Sequence, residues 1–202
     1  MVKNIVFDFG GVLIDWNPHN LYDSYFGDKE KAQWFIDNVC TSEWNSQMDK
    51  GKPFAVGVSE LIGKFPEWEK EIRIYQTRWH EMVTKEVPGM HQLLFDLKKN
   101  GYPIYGLTNW SDETMREELV RWDIFRLVDD MVVSGRENIL KPDPAIFQCL
   151  LSRFKIEASE SVFVDDNLKN VEAALRLDFH AIHFDGAENL RRVLADLGVN
   201  VE

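Results

Sequence analysis

Asp8 is the residue of this chain best placed to do chemistry. It ends the short apolar run Asn4-Ile5-Val6-Phe7 and is followed, after Phe9, by Gly10-Gly11. A strand that is apolar throughout is buried on both faces, as in a parallel sheet. An acid at its end is delivered to the carboxyl edge of that sheet, where open α/β folds bind their ligands. Strand-end aspartates also cap turns, so Asp8 alone decides nothing. Four later runs end in polar residues of their own. Tyr105-Gly106-Leu107 leads into Thr108-Asn109, and Met131-Val132-Val133-Ser134-Gly135 precedes the turn Lys141-Pro142-Asp143-Pro144. Val162-Phe163-Val164 ends in Asp165-Asp166-Asn167, and Ala181-Ile182-His183-Phe184 ends in Asp185-Gly186. Carboxylates, a lysine, a hydroxyl and the N–H groups of a helix start are the parts that phosphoryl transfer uses.

The elements that must position these residues are legible in the hydrophobic pattern. From Pro18 to Glu86 the periodicity is helical and no buried strand stands out, with helices predicted over Glu30–Val39 and Trp68–Val83. Gly51-Lys52-Pro53 and Phe65-Pro66 punctuate between helices, and Val87-Pro88-Gly89 marks a boundary. Met90 to Asn100 reads as a helix stopped by Gly101, with further helices near 112–122, 143–153, 168–177 and 187–197. Strand and helix alternate from there to the end, which predicts a parallel sheet covered on both faces. The expected fold is therefore α/β, a Rossmann-like parallel-sheet core (residues 1–15 and 87–202) with an inserted helical cap (16–86) over the strand ends. Of the seven tryptophans, Trp16, Trp34, Trp44, Trp68 and Trp79 lie in or beside this insertion. Trp34, Trp68 and Trp79 are expected to form the core of a small helical bundle. Trp16 and Trp44 flank segments where cap should meet core and are candidates to line a pocket, as is Trp110.

The net charge of −11 argues against a nucleic-acid partner, because no basic stripe offsets the acidic field. An anionic substrate remains compatible if lysine, metal and backbone N–H groups concentrate positive charge locally. Cys40 and Cys149 are too few and too far apart for a disulfide framework or a zinc site, and Cys149 reads as a buried structural thiol. The five histidines fall at no consistent metal-ligand spacing. Met1-Val2-Lys3 runs straight into a strand, and no segment approaches the roughly 18 apolar residues of a membrane span. A cytoplasmic protein is the expectation.

The ordered set Asp8, Thr108-Asn109, Lys141 and Asp165-Asp166 resembles the four motifs of the haloacid dehalogenase (HAD) superfamily of aspartate-nucleophile hydrolases, over nearly the whole chain. The position of the helical insertion resembles the cap of one HAD subgroup. The resemblance implies that Asp8 attacks phosphorus, that Thr108 and Asn109 bind the phosphate, and that Lys141 stabilises charge. A carboxylate approaching a phosphate dianion is repelled, so a cation is needed, and Mg²⁺ suits an all-oxygen site. Its ligands by the same resemblance are Asp8, the backbone carbonyl of Gly10, Asp166 as the principal acid of the last motif and Asp165 as a second. Asn170 stands where many relatives carry another aspartate and reads as a supporting group.

The pattern breaks at Gly10. Most phosphatases of the superfamily place a second aspartate there to protonate the leaving alcohol, a role typically worth about 100- to 10,000-fold in rate. A branch with Asp-x-Gly in this motif, which includes sugar-phosphate phosphatases, resembles the chain well. Either the leaving group needs little protonation or another residue substitutes, with Asp15, Glu43 and His80 as candidates, or efficient hydrolysis has been lost. The rival activity is metal-independent dehalogenation of 2-haloacids, whose enzymes also lack the second aspartate. The acidic pair Asp165-Asp166 would set needless negative charge beside a carboxylate substrate and so favours phosphate. A non-catalytic phosphometabolite-binding protein is the third alternative. The expected function is a Mg²⁺-dependent phosphatase of a small phosphorylated metabolite, with a sugar phosphate as one candidate. Oligomeric state is not readable from the chain.

Overall fold

A computed structural model describes residues 1–202. The first strand, β1 (Asn4–Phe7), leads through a Gly-Gly turn into the short β2 (Ile14–Trp16). Five helices follow: α1 (Pro18–Phe26), α2 (Lys29–Asn38), α3 (Ser42–Asp49), α4 (Phe54–Lys64) and α5 (Glu69–Thr77). β3 (Val83–Glu86) then returns antiparallel to β2, so a two-stranded ribbon forms the stem of the insertion. The rest alternates: α6 (Met90–Lys99), β4 (Ile104–Thr108), α7 (Asp112–Arg121), β5 (Asp130–Val133), the single turn α8 (Ser134–Glu137) and α9 (Pro144–Phe154). It closes with β6 (Ser161–Asp165), α10 (Leu168–Leu175), β7 (His180–His183) and α11 (Ala187–Asp196).

The main sheet is parallel throughout, in the order β5-β4-β1-β6-β7. Strand order reverses about β1, so the crevice at its carboxyl end is where a ligand site is expected. All four β1 residues are buried, and their side chains divide between two apolar layers. Ile5 and Phe7 pack with Leu93, Leu94 and Leu97 of α6 and with Leu190 and Leu194 of α11. Val6 packs on the other face with Leu107, Phe163, Ile146 and Phe147. The first layer continues without interruption into the helical insertion through Leu21, Tyr22, Phe35, Trp44 and Phe54. Core and insertion therefore share one buried cluster and constrain each other.

Helix starts follow local chemistry. Asn17, Asp28, Thr41, Ser111, Asp143 and Asn167 each accept a backbone N–H of the first turn of α1, α2, α3, α7, α9 and α10, respectively. Three expectations change. The run Trp68–Val83 is not one helix, because α5 ends at Thr77 and a 3₁₀ turn over Trp79–Met82 feeds β3. Ser134-Gly135 belongs to α8 rather than to the preceding strand. Among the tryptophans assigned to a bundle core, Trp34 is 48% exposed and lies against Trp68 at the outer surface, while Trp79 faces the core domain. Periodicity places residues on a helix face but does not say which face meets a second domain.

The sheet also fixes one close approach. A Cβ on Gly106 of β4 would lie 2.2 Å from Cζ of Phe9 and 3.0 Å from the Cβ of Met131. Phe9 is fully buried and packs against Phe125, 5.0 Å between ring centres. Gly106→Ala should therefore cost about 1–3 kcal/mol by overpacking, read as a lower urea midpoint at unchanged slope. An unchanged midpoint would show that the Phe9 ring swings aside freely.

Candidate active site

The carboxyl ends of β1, β4 and β6 bring together most of the residues singled out from the sequence. Lys141 is the hub. Its ammonium contacts Asp8 Oδ1 at 3.0 Å and donates to Asp165 Oδ2 at 2.7 Å and to the carbonyl of Leu107 at 2.7 Å, with no side-chain exposure. Its three N–H donors are thus all placed. Burial alone would push the ammonium pKa down, but Asp165 and Asp8 outweigh it and hold it above the ordinary lysine range. The turn that carries Lys141 is held by a reciprocal pair: Asn109 Oδ1 accepts the Lys141 N–H at 2.8 Å, and Asn109 Nδ2 donates to the Lys141 carbonyl at 3.0 Å. The Asn109 amide is therefore spent on the lysine turn.

Asp165 is fully buried and has further partners. Asn170 Nδ2 lies 3.1 Å and 3.0 Å from its two oxygens, and the Asn167 N–H donates to Oδ1 at 2.8 Å. Asn170 thus supports an acid rather than replacing one. Asp166 turns the other way, toward Gly11, where a Cβ would sit 2.3 Å from its Oδ2. Gly11 has φ +77, so both the turn and the carboxylate require glycine there. Oxygens of Asp8, Asp165 and Asp166 all lie within 4.8 Å of one another. Burial pushes Asp8 up to about 7, with Lys141 opposing and Asp165 adding to the shift. Burial and then Asp165 also raise Asp166. Three converging carboxylates facing a single ammonium fit a hard divalent cation, which would relieve their mutual repulsion.

A cavity of about 300 Å³ opens over this floor. Asp8, Gly10, Asn109, Asp166 and Asn170 line it from the core, and Trp16, Trp79 and Trp110 form an indole wall. Trp79 lies 5.2 Å from Trp110 and 6.5 Å from Trp16, between ring centres. Trp44 is elsewhere, edge-on to Tyr75 with its indole N–H on the Gly57 carbonyl. Asn45 and Asp49, both from α3 of the insertion, complete the lining and were not apparent in the sequence. Their spacing of four residues on a helix was the signal that could have found them. Asp15, Glu43 and His80 do not line the cavity: Asp15 bonds to Thr84, Glu43 is exposed, and His80 lies on a separate depression.

Three buried side-chain polar atoms find no hydrogen-bond partner within the chain: Trp16 Nε1, Asn45 Oδ1 and Thr108 Oγ1. Two belong to residues that line the cavity, and the third belongs to the last residue of β4. Leaving such groups unpaired costs free energy, and a polar ligand in the cavity would recover it.

Residues 5–184 match the Haloacid dehalogenase-like hydrolase family. The chain belongs to that family. It is similar to the sesquiterpene phosphatase astK of Aspergillus oryzae, 29% identical over 187 residues that cover 90% of this chain and 89% of that protein. It is also similar to the D-ribitol-5-phosphate phosphatase of Bacteroides thetaiotaomicron, 24% identical over 208 residues, 96% of this chain and 97% of that one. Among solved structures, a HAD family enzyme of B. thetaiotaomicron superimposes with a TM-score of 0.72 at 18% identity, over 96% of this chain and 99% of that one. That structure is an aspartate-to-alanine mutant in complex with magnesium and inorganic phosphate, and the likeness is one of fold. No helix of the chain is long and apolar enough to cross a membrane.

Two outcomes follow from these electrostatics. Lys141→Met leaves Asp8 and Asp165 buried without their cation and should cost about 3–5 kcal/mol in urea unfolding at neutral pH. A loss below about 1 kcal/mol would mean that the two acids do not depend on the lysine. The carboxyl of Asp8 sits at about 7 in the fold against an ordinary 3.8. Its contribution to stability is complete below that ordinary value and is lost as pH rises through about 7. The melting temperature of metal-stripped protein should therefore fall as pH rises from about 4 to about 7 and level off above, and Mg²⁺ should restore it at the upper end far more than at the lower. A Mg²⁺ effect independent of pH would contradict this.

Proposed function

We propose that the chain is a Mg²⁺-dependent phosphatase of a small phosphorylated metabolite, of the sugar-phosphate class, in the Asp-x-Gly branch of the helical-cap HAD hydrolases. The observation that carries this reading is the convergence of Asp8, Asp165 and Asp166 within 4.8 Å over a buried lysine. In this reading Asp8, Asp166, Asp165 and the Gly10 carbonyl would hold Mg²⁺, which would supply charge neutralisation for the phosphate. Asp8 attacks phosphorus and carries the phosphoryl group as an aspartyl-phosphate that water then hydrolyses. Lys141 favours the ionised form of Asp8 and aims it, since its ammonium lies 3.0 Å from Oδ1. The unpaired Thr108 hydroxyl donates to a phosphate oxygen, and Asn109 acts beside it chiefly by holding the lysine turn.

Residues 16–86 form the cap in this reading, and its apolar continuity with the core sets the cavity walls. A volume of about 300 Å³ admits a phosphate with a few carbons and is small for a nucleotide or a phosphoprotein loop. The related proteins whose names specify phosphatase activity, on a sesquiterpene and on ribitol 5-phosphate, support phosphate monoesters over 2-haloacids. The indole wall with unpaired Trp16 Nε1 and Asn45 Oδ1 supports a hydroxylated leaving group.

The test is phosphate release from a panel of sugar and polyol phosphates, with Mg²⁺ and with EDTA, using Asp8→Asn as the blank. Release should require the metal and vanish in the variant. Silence across the panel, with halide released from 2-haloacids in EDTA, would replace this reading by the dehalogenase one.

A further inference from the structure

Gly10 leaves the reaction without its usual proton donor, and the backbone does not require glycine there. Gly10 is not in the left-handed region, and a Cβ would make ordinary contacts of 3.8 Å with Trp110 and Trp16. Those two indoles line the same cavity as Asp8. The helical insertion contributes one acid to that lining. Asp49 is the last residue of α3, faces the cavity that holds Asp8, and belongs to the insertion rather than to the sheet.

We propose that Asp49 is the proton donor to the leaving group, supplied by the cap in place of the side chain that Gly10 lacks; this rests on the phosphatase reading above. Four observations support the assignment. Asp49 is held rigidly, because Asn45 Nδ2 donates to its Oδ2 at 2.9 Å from one turn earlier on the same helix. Its backbone carbonyl accepts the Ser134 hydroxyl, which ties the end of α3 to α8 of the core. Two residues on, Gly51 turns with φ +99 against the core, where a Cβ would lie 2.4 Å from Asn138 Oδ1 and 3.1 Å from the Gly135 carbonyl. The cap therefore presents this carboxyl at one fixed place. Burial, opposed by the Ser111 N–H and assisted by the charge of Asp8, pushes Asp49 up to about 8, so it holds a proton at neutral pH.

The chemistry balances with the residues present. As Asp8 bonds to phosphorus, the bond from phosphorus to the ester oxygen breaks and the Asp49 proton passes to that oxygen, releasing an alcohol. In the second step Asp49, now a carboxylate, takes a proton from the attacking water. The bond from phosphorus to Asp8 breaks, and inorganic phosphate leaves with both acids restored.

The experiment compares kcat/KM for an alkyl ester, glycerol 1-phosphate, with that for p-nitrophenyl phosphate, whose leaving group needs no proton. Asp49→Asn should lower the alkyl value by about 100-fold more than the aryl value. Equal losses on the two esters would make Asp49 a positioning or structural residue and overturn the proposal, as would no loss. Should the variant fail to fold by circular dichroism, the wild-type protein decides on a series of substituted phenyl and alkyl phosphates. A shallow dependence of kcat/KM on leaving-group basicity is expected if the departing oxygen is protonated, and a steep one overturns the assignment. Wild-type protein that releases phosphate from no ester ends the phosphatase reading and this inference with it. Active wild type with an unchanged ester ratio in Asp49→Asn ends this inference alone.

Discussion

The buried ammonium of Lys141 is the interaction around which the rest is arranged. Asp8 ends one strand, Asp165 ends the next, and the Leu107 carbonyl comes from a third, and each spends its attraction on the same three N–H donors. A lysine with no exposure would lose its charge without those partners, and the partners would take up protons without the lysine. The consequence reaches outward. Asn109 pairs with the backbone of Lys141 to keep the turn in register, and Asn170 and the Asn167 N–H also donate to Asp165. Asp166 is left free of this network and turned toward the cavity, beside the glycine that makes room for it.

The insertion meets this floor as a continuation of one apolar layer rather than as a separate body. That continuity gives its polar residues fixed positions. Asn45 and Asp49 share a face of α3, and the end of that helix is fastened to the core through Ser134 and the Gly51 turn. Of the three buried polar atoms without partners, two belong to residues that line the cavity, as expected where a ligand supplies missing hydrogen bonds. Polar groups that would be a defect elsewhere become recognition elements when a substrate desolvates with them.

Much of the core was legible because its signals are local. A run apolar on both faces names a central parallel strand, and capping residues name helix starts, so Asp8, Thr108 and Asp165 could be placed at strand ends from the sequence. The insertion was less legible. The 3₁₀ turn and short ribbon at Trp79–Glu86 carry aromatic and aliphatic residues at spacings that also suit a helix. Trp79 and Trp34, both expected in the core of a helical bundle, instead line the cavity and stand half exposed, respectively, because burial depends on which helix face the rest of the fold covers.

The succession of strands and helices, the point of insertion and the residue types at each strand end were written in the chain itself, since backbone periodicity and capping act over a few residues. Tertiary structure alone decided that Lys141 is buried between two acids, that Asn109 serves the lysine turn, and that Asp49 stands in the same cavity as Asp8. Those facts depend on contacts between residues far apart in the chain, whose worth comes from excluding water around charges, and no local pattern records that.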